Sequence, residues 1–218
     1  VAVFLAHEPA LVISGGRGGR AQREASESAR RRLVLLLGIG LLAGALGLWL
    51  APAQARLSAL IPLALGALLA LLIVRRQEKT AVGELLVSLT LSATLIPVAM
   101  AGGVSFQASV AAATVWAVAF ALATITVRGI IARAKKNAEP GLAPIIASVL
   151  SAAAIAISLF LALSDRLPVL VAVAVVPTAL VAMVFGVLGV HPRNLRRMGW
   201  SLVLSNIAVL AALIIGFN

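Results

Sequence analysis

The sequence contains no cysteine and no tyrosine, only two histidines, and seven acidic residues against eighteen Lys and Arg. The absence of cysteine excludes disulfides, thiolate metal sites and thiol catalysis. The two histidines, His7 and His191, are too few for a multi-histidine metal site. The single aspartate, Asp165, lies on the side predicted below to be opposite both histidines, so Ser-His-Asp catalysis lacks support. We therefore predict no resident metal site.

What the sequence has in abundance is apolar residues: 62% are hydrophobic and only 11% are charged. Its mean hydropathy is +1.12. Soluble domains are about 45–50% apolar and about 25% charged, so this composition predicts an integral membrane protein. The net charge of +11 comes from Lys and Arg between apolar spans. Such residues contact anionic head groups, so we expect membrane lipids as partners and no nucleic acid.

Seven full apolar spans, each long enough to cross a bilayer as a helix, follow a partial one at the N-terminus. The continuous apolar runs exclude a membrane β-barrel, so we predict an all-α bundle over residues 1–218 as a single domain. Since the chain begins at Val1 inside an apolar run, we expect a truncated first helix. The predicted full spans are Leu33–Leu50, Leu57–Val74, Val82–Ala101, Phe106–Val127, Leu142–Leu163, Pro168–Val190 and Gly199–Phe217.

Basic residues divide unequally between the alternating loops. Sixteen of the eighteen Lys and Arg lie in four loops, and the other three loops hold only Arg56 and Arg166. The basic loops are Ser14–Arg32, Arg75–Ala81, Arg128–Gly141 and His191–Met198. By the positive-inside bias these four are cytoplasmic, which places Asn218 outside a bacterial cytoplasmic membrane.

Ionisable residues within membrane spans are candidates for a functional site, because a charge there costs a few kcal/mol. Several of them fall at the predicted cytoplasmic ends of different spans. Topology, head-group contact and helix capping by Glu84 are the competing explanations. The candidate polar site, which we expect to surround one cavity, contains His7, Glu8, Glu84, Arg128, Arg133, His191 and Arg193.

Three further sequence features predict local structure. Pro62, Pro97 and Pro177 lie inside spans and are expected to kink them. The glycine-rich segment Gly15–Gly19 lacks the Lys-Ser or Lys-Thr of a P-loop, so a flexible loop is expected there. Asn206 is isolated within the last span and is predicted to form a hydrogen bond between helices.

Three stretches resemble the bacterial YwiC-like membrane proteins. They are Phe4-Leu5-Ala6-His7-Glu8-Pro9, the segment Ala81–Leu86 with its apolar continuation to Gly103, and His191-Pro192-Arg193 running to Gly199-Trp200. More distantly, the layout is similar to the UbiA superfamily of intramembrane prenyltransferases. That resemblance implies nine helices, made of one missing helix, the partial one and seven full spans, around a cavity that faces the cytoplasm.

The catalytic pattern of the UbiA superfamily is absent. Where prenyltransferases carry their first Asp-rich motif, the segment His7–Gly15 keeps only the carboxylate of Glu8. The second motif would fall near Arg128–Asn137, and this range contains no acid. Binding of Mg²⁺ and diphosphate needs several oxygen ligands. The leading hypothesis is therefore a bundle that binds a lipid or isoprenoid without metal-dependent transfer, and no cofactor is predicted.

Two alternatives stay open. One is an active prenyltransferase that uses Glu8 and Glu84, for which Mg²⁺ would be the cofactor. The other is a small-solute transporter or an accessory subunit of a membrane complex. The apolar span centres count against the transporter, whereas a protein partner leaves little trace in span composition. The sequence does not predict the oligomeric state.

Overall fold

The computed structural model describes residues 5–13, 19–77, 79–134, 143–164, 167–188 and 194–217. These residues form helices and turns, with no strand among them. The chain divides into two compact units, Val1–Arg56 and Leu57–Asn218. We call them the N-terminal and the C-terminal unit, and the single domain stays a prediction.

The N-terminal unit contains two helices and the beginning of a third, α1 (His7–Ile13), α2 (Gly19–Leu50) and α3 (Ala53–Ser58). The C-terminal unit contains α4 (Leu60–Val74), α5 (Ala81–Ala93), α6 (Leu95–Ala101), α7 (Phe106–Ala134), α8 (Ala143–Leu163), α9 (Val169–Val173), α10 (Val176–Leu188) and α11 (Leu195–Phe217).

Seven helical segments of the described chain are long and apolar enough to cross a membrane. They are Ala25–Leu50, Ala53–Val74, Ala81–Ala101, Phe106–Ala132, Ile145–Leu163, Val169–Leu188 and Arg196–Phe217. Each overlaps one predicted span, in the predicted order. The all-helical class and the count of seven spans are therefore confirmed, and the nine-helix layout stays a prediction.

Three spans are interrupted at the positions that their prolines dictate. Each proline lacks the amide hydrogen that would bond the carbonyl four residues earlier, and its ring crowds that carbonyl. Counting back four residues from Pro62, Pro97 and Pro177 gives Ser58, Ala93 and Val173, at which α3, α5 and α9 end. A new helix starts within three residues of each break, and the helices on its two sides together form one candidate membrane span.

The charged segment before the first full span is helical, which corrects the loop expected there. Helix α2 begins at Gly19 and is continuous for 32 residues, so it includes most of the predicted loop Ser14–Arg32. Residues 14–18 of that loop lie outside the described residues. Ala, Arg and Glu are good helix formers, and Arg31 bonds Glu27 one turn earlier at 2.6 Å. The high charge content of this segment therefore belongs to the polar surface of a helix and not to a loop.

Helix α1 packs against the charged part of α2 rather than against its apolar part. Ala6 and Ala29 are buried, and the Gln22 side-chain amide donates to the carbonyl of Ile13 at 2.9 Å. The two helices therefore contact each other through the polar beginning of α2. The side chains of His7 and Glu8, on α1, lie outside the described residues.

In the C-terminal unit, α7 is central and contacts α5, α6 and every later helix. The core of this unit includes Ala119 and Leu122 of α7, Ala179 of α10 and Val209 of α11. Most buried side chains of the described chain are Ala, Ser or Thr, whereas most large apolar side chains are exposed. Small residues allow helices to approach closely in lipid, and exposed Leu and Ile suit lipid contact. This pattern of burial belongs to a membrane protein.

Candidate functional site

Of the seven residues in the predicted polar site, the structure describes the side chains of Glu84 and Arg128 and brings them together. The side chains of His7, Glu8 and Arg133 lie outside the described residues, as do His191 and Arg193 entirely. The single cavity that was expected to gather all seven therefore stays a prediction.

Glu84 is held at the start of the third span by a hydrogen-bonded cap. The Thr80 hydroxyl accepts from the amide of Gly83 at 3.1 Å and donates to the carbonyl of Gln77 at 2.7 Å. Thr80 is thus the N-cap of α5, and Glu84 lies in the first turn, where the helix dipole favours an acid. The cap belongs to Thr80, which leaves the Glu84 carboxylate available for a partner on another helix.

That partner is Arg128, near the end of α7. Its Nη1 atom lies 2.8 Å from Oε2 of Glu84 and donates to the Lys79 carbonyl at 3.1 Å. The two charged side chains are each 37% exposed. The pair therefore joins the third and fourth spans at one end of the bundle and remains open to solvent or head groups.

One turn deeper, the same two helices meet through hydroxyl groups. Oγ of Ser88 and Oγ1 of Thr124 are 3.5 Å apart, and Ser88 is buried. Ser88 and Thr124 follow Glu84 and precede Arg128 by four residues, so both contacts use the same faces of α5 and α7. The next hydroxyl on this face of α5, that of the buried Ser92, bonds the Ser88 carbonyl of its own helix at 2.8 Å.

A groove of about 490 Å³ lies between α4, α5, α6 and α7, farther from the ion pair. Apolar side chains and one threonine form its lining. We call it the first groove; it is lined by Ile61, Leu65, Leu89, Ala93, Ile96, Val110, Ala113, Thr114, Ala117, Val118 and Ala121. Its volume lies in the range of about 300–1,000 Å³ typical of ligand pockets.

A second groove, of about 360 Å³, lies on another side of α7, between α7, α8 and the sixth span. It shares Thr114, Val118 and Ala121 with the first groove and extends to Ile125 and Ser158. Its lining is also apolar apart from hydroxyl groups. Neither groove includes Glu84 or Arg128.

A polar contact at the centre of the bundle was missed by the sequence interpretation. Thr178, fully buried just after the break in the sixth span, donates to Oγ of Ser205 on α11 at 3.1 Å. The neighbouring Asn206 was expected to bridge helices, but its buried Oδ1 has no hydrogen-bond partner among the described residues. A hydroxyl pair, inconspicuous in sequence, therefore makes the bond between helices that was expected of Asn206.

Among the described residues, the donor set does not fit the Mg²⁺ that the prenyltransferase resemblance implies. Within the described part of the chain, no three His, Cys, Asp or Glu side chains cluster as metal ligands. Glu84 contacts an arginine rather than a second carboxylate. Bridging Mg²⁺ to a diphosphate needs several oxygen ligands.

No protein-family model matches the sequence, and neither a curated protein nor a solved structure does. The resemblance to YwiC-like proteins, which rests on three stretches of sequence, and the more distant one to the UbiA superfamily, which rests on the helix layout, thus stay predictions.

Proposed function

We propose that this chain is a YwiC-like integral membrane protein of the bacterial cytoplasmic membrane that binds the hydrocarbon chain of a lipid or isoprenoid. The first groove of the C-terminal unit is the binding site in this proposal. The basic loops are cytoplasmic, so the Glu84–Arg128 pair lies at the cytoplasmic ends of its spans and the C-terminus lies outside. The bundle is UbiA-like in this proposal and lacks metal-dependent transfer.

The observation that carries the proposal is the alignment of the first groove with Arg128. Val110, Ala117 and Ala121 line the groove. They precede Arg128 by eighteen, eleven and seven residues, spacings that place all four on one face of α7. An amphiphile bound along this face would meet an apolar surface first and a charged pair at its end.

The dimensions support the same ligand class. Val110 and Ala121 are eleven residues apart, which is roughly 16 Å along a helix, and Arg128 is roughly 10 Å beyond Ala121. The sum is close to the ~30 Å thickness of the hydrocarbon layer. A long hydrocarbon chain with a polar head suits this geometry better than a compact polar solute.

Binding is favoured over transfer by the state of Glu84. A transferase would need Glu84 as an oxygen ligand for a metal, and its Oε2 is instead 2.8 Å from the Arg128 guanidinium. Loss of the Asp-rich motifs from the sequence agrees with this choice.

Solute transport is a second candidate, because the bundle centre is less apolar than its sequence indicated. The sixth span is broken before Pro177, and the hydrogen-bonded Thr178 lies beside α11, which carries Asn206 with its unsatisfied oxygen. Broken helices and polar groups near the midplane occur at transporter substrate sites. The Asn206→Leu variant described in the Discussion tests this candidate.

Photolabelling tests chain binding directly. Purified protein in nanodiscs is exposed to a photoreactive isoprenol, and labelled residues are identified by mass spectrometry. Labels are expected on the first groove. Ala117→Phe fills the groove and should reduce labelling about tenfold, the equivalent of roughly two buried methylene groups.

Ala156→Phe is the matched control, since Ala156 is exposed on α8 and lines neither groove. It should label like the unmodified protein. Equal labelling of both variants, or labels scattered over lipid-facing residues, would contradict the proposal.

A further inference from the structure

We infer that Arg128 binds a phosphate head group through the edge of its guanidinium formed by Nε and Nη2. This inference rests on the proposed function, because it assigns the head group of the amphiphile whose chain occupies the first groove. It goes beyond that proposal by naming the chemical class of the head.

The contacts of Arg128 occupy only one side of its guanidinium. Both contacts within the described residues use Nη1, one to Glu84 at 2.8 Å and one to the Lys79 carbonyl at 3.1 Å. A guanidinium has five N–H donors, of which Nη1 carries two. The other three are on Nε and Nη2, and the Nε–H with one Nη2–H forms the side-on fork that binds two oxygens of a phosphate at once.

Accessibility and charge agree with an anionic ligand at this edge. The Arg128 side chain is 37% exposed, so a bound molecule can reach part of it. The adjoining loop supplies Arg75, Arg76 and Lys79, so the region remains cationic even after Glu78 and Glu84 are counted. A phosphate would therefore enter a net positive environment.

Glu84 acts in this arrangement as a positioning residue. Its carboxylate and the Lys79 carbonyl fix the Nη1 side and thereby orient the fork. Its negative charge also opposes a bound phosphate. Replacing Glu84 with Gln keeps an oxygen acceptor for Nη1 and removes that charge, so phosphate affinity should rise.

The experiment compares three competitors of the photoreactive isoprenol in nanodiscs made from neutral lipid. They are an isoprenol, the isoprenyl monophosphate of the same chain length, and phosphatidic acid. The unmodified protein should bind the isoprenyl monophosphate about tenfold or more tightly than the isoprenol. Phosphatidic acid competing as well as the isoprenyl monophosphate would assign the site to a phospholipid, still through its phosphate.

Arg128→Lys keeps the positive charge and removes the fork, so it should lose most of the preference for phosphate while binding the isoprenol normally. Normal isoprenol binding also shows that this variant is folded. Arg31→Lys is the control, since Arg31 pairs with Glu27 on the exposed surface of α2. It should keep the full preference.

Equal binding of alcohol and phosphate, an unchanged preference in Arg128→Lys, or weaker phosphate binding in Glu84→Gln would each overturn this inference and leave chain binding intact. Failure of every competitor and of the photoprobe itself would overturn the proposed function as well.

Discussion

The spanning helix of the N-terminal unit and the sixth span of the C-terminal unit are both strongly apolar, yet they are buried to very different extents. Within the most apolar part of Ala25–Leu50 no residue is buried by the N-terminal unit, whereas 44% of the residues are buried in the corresponding part of Val169–Leu188. Hydropathy therefore predicts residence in the membrane and does not predict packing against other helices.

The two spans differ in whether their small and polar residues pack against another helix. Gly38, Gly44 and Gly47 of α2 have nothing within 4 Å of the position that a Cβ would take. In the sixth span, Thr178, Ala179 and Ala182 are all buried. Small residues alone do not define a packing face; they do so where another helix approaches closely.

The largest effect of this difference in packing is expected for a substitution of Gly216 on α11. A Cβ added there would lie 2.8 Å from Cγ2 of Val171 and 3.1 Å from its backbone nitrogen. Because Val171 is fully buried, it has little room to move. Gly216→Leu is expected to destabilise the folded protein by about 1–3 kcal/mol.

Gly47→Leu is the control on the other helix, and its melting temperature in detergent should stay close to that of the unmodified protein. If both variants lost the same stability, the contrast between the two regions would be wrong.

A smaller effect of opposite sign is expected at Asn206, next to Ser205 on α11. Its buried Oδ1 atom has no partner in the described part of the chain. Removing an unsatisfied buried polar group recovers a desolvation cost of about 1 kcal/mol or more. Asn206→Leu should therefore raise the melting temperature by about 2–4 °C.

Ser205→Ala should lower the melting temperature, because it removes the acceptor of the Thr178 hydroxyl. A lower melting temperature for Asn206→Leu would mean that Asn206 has a partner, such as water or a solute, and would favour the transport candidate.

The sequence predicted the elements of the fold well because the bilayer imposes their length. The seven spans and the interruptions at Pro62, Pro97 and Pro177 follow from apolar run length and from the missing proline amide. The prediction of a loop where α2 begins was wrong, because charge content does not distinguish a loop from a polar helix.

The candidate site was predictable only in part. Glu84 stood out because charges within apolar spans are rare and costly, and Arg128 because it directly follows such a span. Nothing in the spacing of residues within one span tells which face meets which neighbour, so the two grooves and the Thr178–Ser205 bond were not foreseen. These features depend on contacts between residues that are distant in the chain.

The most direct test of the account is the sidedness of its loops, because the amphiphile proposal needs the Glu84–Arg128 pair at a cytoplasmic surface. The absence of native cysteine makes single-cysteine labelling free of background. With a membrane-impermeant maleimide, Ser28→Cys and Lys79→Cys should react only from the cytoplasmic side, and Val104→Cys and Ser164→Cys only from the outside. Reaction of Lys79→Cys and Val104→Cys from the same side would contradict the account.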